Sequence, residues 1–417
     1  MALAIAIFVA ALAAIATERA DRTKAALVGA ALVLITQTID QHHAIEAIDF
    51  NTIGLLAGMM LIVRVTEPTG VYNYLAIRAG QVSRGRPLAV VVALAGTTAL
   101  LSAFLDNLTT VLLMVPITLF LADTLDIPPL PLVIIEIIAS NLGGTATLIG
   151  DPPNILIAGA TGLTFGDFLA NLAPIALIAL VLVTGALYLV YRPQLQSPSD
   201  ARERVMSLDA RRSIEDAGEL RRSLPVLVLT ILAFFAQGAL GLEPATIALA
   251  GAAVMLLLTR QSVEEALRGI EWPTLFFFIG LFVMVGALEE TGAIEEVAHA
   301  LGSLTGGERT AELLGITWLA AAGSAVVDNI PFTTTMIPVV EELQVDAADH
   351  AYWWALALGA CFGGNATIVA AAANVAAAGM VERAGMRITF VQFLRVGVPV
   401  TVASVGLATA YIVVRYL

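Results

Sequence analysis

Two carboxylates lie where hydrocarbon would be expected. Leu105-Asp106-Asn107-Leu108-Thr109-Thr110 sits in one apolar stretch, and Val327-Asp328-Asn329-Ile330-Pro331-Phe332-Thr333-Thr334 sits in another, 222 residues later. An acid inside a membrane segment is costly unless it is protonated, paired or holding a cation. Asp106 and Asp328 are therefore candidates to carry H+ or Na+, with Asn107 and Asn329 orienting them. The alternative is structural, since aspartate is also a good helix N-cap. Glu136, in Ile135-Glu136-Ile137, is a third proton-carrier candidate, or else a hydrogen-bonding group between helices.

A second polar cluster follows each aspartate. Ser140-Asn141-Leu142-Gly143-Gly144-Thr145-Ala146-Thr147 leads to Gly150-Asp151-Pro152-Pro153-Asn154, and Gly363-Gly364-Asn365-Ala366-Thr367 leads to Asn374. Paired glycines and prolines in apolar sequence release backbone groups that protein, water or ligand must satisfy. The predicted ion and substrate site is thus built from Asp106, Asn107, Thr109, Thr110, Asn141, Thr145, Thr147, Asp151 and Asn154 of the first half. Asp328, Asn329, Thr333, Thr334, Asn365, Thr367 and Asn374 complete it from the second. Asp151 also reads as a turn residue before two prolines, and the asparagines as interhelical stitches. No Lys or Arg occurs between Arg86 and Arg192 or between Arg309 and Arg383. The site is therefore expected to have no basic partner and to accept H+ or Na+, leaving any anion to helix N-termini and amides.

The elements that must hold these residues are membrane helices. Hydrophobic residues make up 59% of 417 positions and charged ones 13%, against roughly 45–50% and 25% in soluble domains. Ten to twelve membrane elements tile the chain, and no nucleic-acid partner suits a net charge of −13 with no basic stripe. The stretch Leu88–Ala122 would be roughly 50 Å long as one helix, so a break is predicted at Asp106-Asn107, with a half-helix from about Leu108. The same break is predicted at Asp328-Asn329, where Pro331 suits the first turn of a helix.

The Lys/Arg excess alternates between halves. Residues 17–24, 78–86, 260–271 and 381–395 are basic, whereas their counterparts 239–246, 300–308, 40–49 and 159–171 hold no Lys or Arg. By the positive-inside rule, equivalent loops lie on opposite faces. The fold class predicted is an all-α polytopic membrane protein of two inverted repeats, 1–191 and 224–417, each with a re-entrant hairpin and a broken helix. A cytoplasmic connector, 192–223, would join them in the cytoplasmic (inner) membrane of a prokaryote. It is charged, with seven arginines and six acids from Arg192 to Arg222, and carries no catalytic motif; no enzyme activity and no cofactor is expected. His42, His43, His299 and His350 fall in or near connections and form no metal cluster, and the lone Cys361 excludes an internal disulfide.

Phe104-Leu105-Asp106-Asn107 with Thr109-Thr110, Ser140-Asn141 with Gly143-Gly144, Gly150-Asp151-Pro152-Pro153-Asn154, and Asp328-Asn329-Ile330-Pro331-Phe332-Thr333 resemble, in order, the ion transporter superfamily. That group includes arsenite permeases, the melanosomal P protein, sodium/proton antiporters and divalent-anion:sodium symporters. The resemblance spans essentially the whole chain and is nearest to the P-protein and arsenite-permease branch. It implies a homodimeric secondary transporter of a small inorganic species, arsenite or antimonite first, coupled to H+ or Na+ by an elevator-like shift of the hairpins. The alternatives it leaves are a sodium/proton antiporter, an anion channel and a dicarboxylate symporter. The last has Ser-Asn-Thr where this chain has Asp106-Asn107-Leu108 and Asp328-Asn329-Ile330, and two added carboxylates would repel a dianion by about a few kcal/mol. An intramembrane aspartyl protease is disfavoured, because Leu148-Ile149-Gly150-Asp151 lacks a Gly-x-Gly-Asp form.

Overall fold

The structure, a computed structural model, describes residues 1–16, 21–196, 198, 201–297, 308–344 and 349–417. Helices dominate, with no strand among the described residues. In the first half they are α1 (Ala2–Ala16), α2 (Arg22–Ile35), α3 (Phe50–Thr66), α4 (Val71–Ser83), α5 (Pro87–Ser102), α6 (Asn107–Leu125), α7 (Pro129–Gly144), α8 (Pro152–Thr161) and α9 (Phe165–Tyr191). In the second they are α10 (Ala217–Phe235), α11 (Pro244–Leu258), α12 (Trp272–Glu290), α13 (Arg309–Val326), α14 (Asn329–Gln344), α15 (Ala351–Gly363), α16 (Ala372–Arg383) and α17 (Phe390–Tyr416). Five described helices are long and apolar enough to cross a membrane, and five shorter apolar ones accompany them.

The breaks fall where polar residues interrupt apolar sequence. Asp106 ends the loop after α5 and caps α6 by accepting from the Thr109 N–H at 2.8 Å. Asp328 does the same before α14, accepting from the Ile330 N–H at 3.1 Å. Proline opens α5, α7, α8 and α11, where its missing N–H costs nothing and its fixed φ suits the first turn. The 27-residue helices α9 and α17 match in detail. Each begins with a capping box, Thr164 with Asp167 and Thr389 with Gln392, and each contains one proline, Pro174 or Pro399.

Packing repeats the same pairing. Helix α2 lies on α12, and its counterpart α11 lies on α3; α5 lies on α7, and α13 on α15. The broken helices interlock across the halves, with α8 on α14 and α16 on α6. The close approach of α5 to α7 depends on Gly143, whose added Cβ would run into the backbone of Ala99. Gly143→Ala is expected to lower stability by about 1–3 kcal/mol through overpacking, seen as a lower thermal midpoint of the detergent-solubilised protein.

Two of the basic connections, 78–86 and 260–271, meet the connector at one end. The Gln81 amide donates to the Leu208 carbonyl at 2.6 Å, the Glu215 N–H to Thr69 at 3.1 Å, and the Arg260 N–H to Glu219 at 3.1 Å. The connections without arginine meet at the other. Asn51 donates to Glu243 at 3.1 Å and accepts from the Ala245 N–H at 3.0 Å, while Gln237 accepts from the Phe165 N–H at 3.0 Å. This is the segregation that the positive-inside argument requires. Residues 17–20 and 298–307, with His299, lie outside the described residues. The connector holds a helix, Ala201–Ser207, and a 3-10 turn, Ala210–Ser213. Helix α10 begins inside the segment read as connector, because Asp216 caps it through the N–H groups of Gly218 and Glu219 at 2.8 and 2.9 Å.

Candidate functional site

The two hairpin tips and the two broken helices meet at Asp151. Its Oδ1 accepts from Asn107 Nδ2 at 3.3 Å and Asn329 Nδ2 at 3.0 Å, one donor from each hairpin. Asn107 also donates to Asn141 Oδ1 at 3.3 Å, and Asn141 Nδ2 donates onward to Asn365 at 3.1 Å and Asn374 at 3.0 Å. Six predicted residues thus form one buried network drawn from both halves. Around it, Asp151 Oδ2, Asn365 Nδ2 and Thr110 Oγ1 are buried and have no hydrogen-bond partner among the described residues. A carboxylate with 0% exposure and two amide donors on one oxygen still carries its charge in a poorly polar place. A proton or a cation is what would relieve that cost.

Other predicted residues hold the frame. Asn154 Nδ2 donates to the Thr145 and Thr147 carbonyls at 3.1 and 2.8 Å, and Asn374 Nδ2 donates to those of Gly364 and Thr367 at 2.7 and 2.8 Å. Each asparagine satisfies carbonyls that its broken helix leaves open, which explains how unwound backbone survives in apolar surroundings. Thr147 and Thr367 donate to Ala103 and Ala325, tying each broken helix to the hairpin before it. Thr145, Thr333 and Thr334 donate to carbonyls four residues earlier, and Thr109 Oγ1 donates to Asp106 at 2.5 Å. These threonines are engaged within their own turns.

These contacts set the pairing of the broken helices. With Asn154 matching Asn374 and Thr147 matching Thr367, the offset here is 220, two less than at the hairpin aspartates. The counterpart of Asn141 is then Cys361, and that of Asp151 is Ala371. The bonding agrees: Asn141 reaches Asn374, and the Cys361 thiol reaches Asn154 at 3.7 Å. The central acid therefore exists in one half alone.

The expectation of a site without a basic partner is overturned. Arg22, at the start of α2, pairs with Asp328 at 3.3 Å, donates to Thr274 at 3.3 Å and lies over Phe277 at 5.4 Å. The sequence flanking either aspartate does not reveal this partner, which is 306 positions away from Asp328. Glu271 and Thr274 were also missed, although they stand opposite Asp49 and Thr52 at the repeat offset of 222. A cavity of about 20 Å³ lies among Arg22, Asp106, Asn107, Glu271, Thr274 and Asn329, room for roughly one water. A larger one of about 480 Å³ borders Asp21, Arg22, Asp328 and Ala372. A third, of about 380 Å³, is lined by Glu46, Asp49, Glu289, Thr334 and Glu341 at the far end of α12, roughly 22 Å from Thr274 by helix rise. Among the described residues no group of three or more His, Cys, Asp and Glu side chains is arranged to hold a metal.

An all-helical, membrane-embedded frame with paired breaks converging on polar side chains is that of a membrane transporter. The chain is similar in fold to the YdaH transporter of Alcanivorax borkumensis, with a TM-score of 0.59 at 17% identity over 89% of this chain and 86% of that one. The chain belongs to the citrate transporter family, which it matches over residues 12–359. An uncharacterized transporter of Mycobacterium tuberculosis is 43% identical over 99% of this chain and 98% of its own length. The human P protein is 32% identical over 96% of this chain but only 58% of its own length.

Proposed function

We propose that this protein is a secondary active transporter in which Asp151 binds the coupling ion, H+ or Na+, between the two hairpin tips. The observation that carries this reading is the burial of that carboxylate with one oxygen held by Asn107 and Asn329 and the other unpartnered. Asp106 and Asp328 then serve the hairpins: both cap helices, and Asp328 is paired with Arg22. A small neutral hydroxylated species such as arsenous or antimonous acid matches the mixture of carboxylate, amide and hydroxyl groups better than citrate does. A tricarboxylate would face Asp106, Asp151, Asp328 and Glu271, with Arg22 as the cation beside them. The homodimer, the inner-membrane location and the shift of the hairpins against α2 and α12 belong to the same proposal.

Sodium/proton exchange is the second reading, favoured by the small cavity beside the tips, which suits an ion rather than a larger solute. One experiment separates them. Purified protein in liposomes loaded with a pH-sensitive dye is challenged with Na+, Li+ or arsenite. Proton movement with arsenite alone supports the metalloid reading, and movement with Na+ or Li+ supports exchange. No proton movement with any of the three counts against both.

A further inference from the structure

The contact of α5, α6 and α7 is built twice, and only one copy places an acid at the position of Glu136. Glu136, 1% exposed, accepts at Oε1 from Thr118 Oγ1 at 2.6 Å and Thr98 Oγ1 at 3.3 Å. Its Oε2 is buried with no hydrogen-bond partner among the described residues. The matching positions on α13, α14 and α15 are Ala320, Val340 and Leu356, all fully buried. At these three positions the fold therefore makes the contact with apolar side chains alone. A buried carboxylate costs several kcal/mol relative to such a core, so the polar version is not required for packing.

We propose that Glu136, Thr98 and Thr118 form a second proton-binding site, with the proton held on Glu136 Oε2 and the two hydroxyls fixing the other oxygen. Binding converts the carboxylate to the acid by taking one proton from water, and no other bond changes. A proton suits the site better than Na+, because both hydroxyls turn their hydrogens towards Oε1 and leave one bare oxygen, Oε2, for the ion. On the helices packed against α7, the charged groups are Asp123 of α6, Asp167 of α9, and Glu382 and Arg383 of α16. They lie near helix ends, and the hydrogen bonds to Glu136 come from Thr98 and Thr118 instead. α5 has none, and α15 contributes Cys361 as its other titratable group besides Tyr352.

The site is wired to the centre. Glu136 and Ser140 are one turn apart on α7, as Thr98 and Ser102 are on α5. Ser102 donates to the Ser140 carbonyl at 2.7 Å, and Ser140 donates to Ser102 Oγ at 3.2 Å and to the Asn107 carbonyl at 3.1 Å. Asn107 is the residue that holds Asp151. The protonation of Glu136 is thereby placed one rung from the coupling carboxylate. This inference rests on the proton-coupled reading above.

The test is infrared difference spectroscopy of the purified protein across steps of pH, read at the carbonyl stretch of protonated buried carboxyl groups. Wild type is compared with Glu136→Gln and with a triple variant, T98A/T118V/E136L, which installs the second half's own core and is expected to fold. The expected result is a titrating component that is lost in both variants and kept in Asp151→Asn. A difference spectrum unchanged by Glu136→Gln overturns the proposal, as does wild-type proton flux with an unaltered pH profile in the triple variant. Loss of the Glu136 component with no change in Asp151→Asn spectra or flux would instead remove the role given to Asp151 and leave Glu136 standing.

Discussion

Asp151→Asn is expected to yield a folded protein whose ion-driven flux falls to the level of empty liposomes. The replacement keeps an oxygen where Oδ1 accepts from Asn107 and Asn329, so the junction of the hairpin tips survives. At Oδ2 it replaces one unpartnered group by another, which limits the change in stability to about the 1–3 kcal/mol of a buried unsatisfied donor. What it removes is the charge that binds the ion. Asp106→Asn makes the contrast. Asparagine caps helices about as well as aspartate, and its amide oxygen can still accept from the Thr109 N–H. If Asp106 serves as a cap, this variant retains most of the flux. Equal loss in both would return the ion to the hairpin aspartates, and full activity in Asp151→Asn would end the proposal for Asp151.

The breaks were legible because Asp, Asn, Gly and Pro have few reasons to stand in apolar sequence. Asp106 and Asp328 cap helices within a residue of the predicted starts, and Gly143-Gly144 and Gly363-Gly364 lie at the ends of α7 and α15. The repeat could be read from the offset of its hairpin motifs, and the grouping of loops 78–86 and 260–271 from the placement of arginines. Long-range pairing was not. The offset slips from 222 at the hairpins to 220 at the broken helices, so the match of Cys361 to Asn141 emerges only from the contacts. Glu136 drew notice as an acid in an apolar run, but the hydroxyls that hold it sit on two other helices. Arg22 looked like one more cytoplasmic charge, and only the packing of α2 on α12 carries it to Asp328.

Arg22→Gln is expected to lower the stability of the described conformation by roughly 1–3 kcal/mol. Removal of one partner from a fully buried pair costs more, and the partial exposure of Arg22, 25% against 9% for Asp328, reduces it here. The check is a double-mutant cycle on thermal unfolding with Asp328→Asn. Once the carboxylate is neutral, the loss of Arg22 should cost little, and simple additivity of the two effects would show that the pair stabilises nothing. The consequence for transport follows from where the partners sit. Arg22 begins a helix packed on α12, whereas Asp328 begins a helix of the hairpin, so the pair joins two bodies that must separate if the hairpins shift. At the repeat offset from Arg22 stands Pro244, so no equivalent pair awaits Asp106 at the other end. Arg22→Gln should therefore bias the balance between the two end states rather than weaken both alike. A cysteine at Val375, which borders the cavity beside Arg22, studied with Cys361 replaced by Ala, reports that bias as a changed labelling rate in the variant.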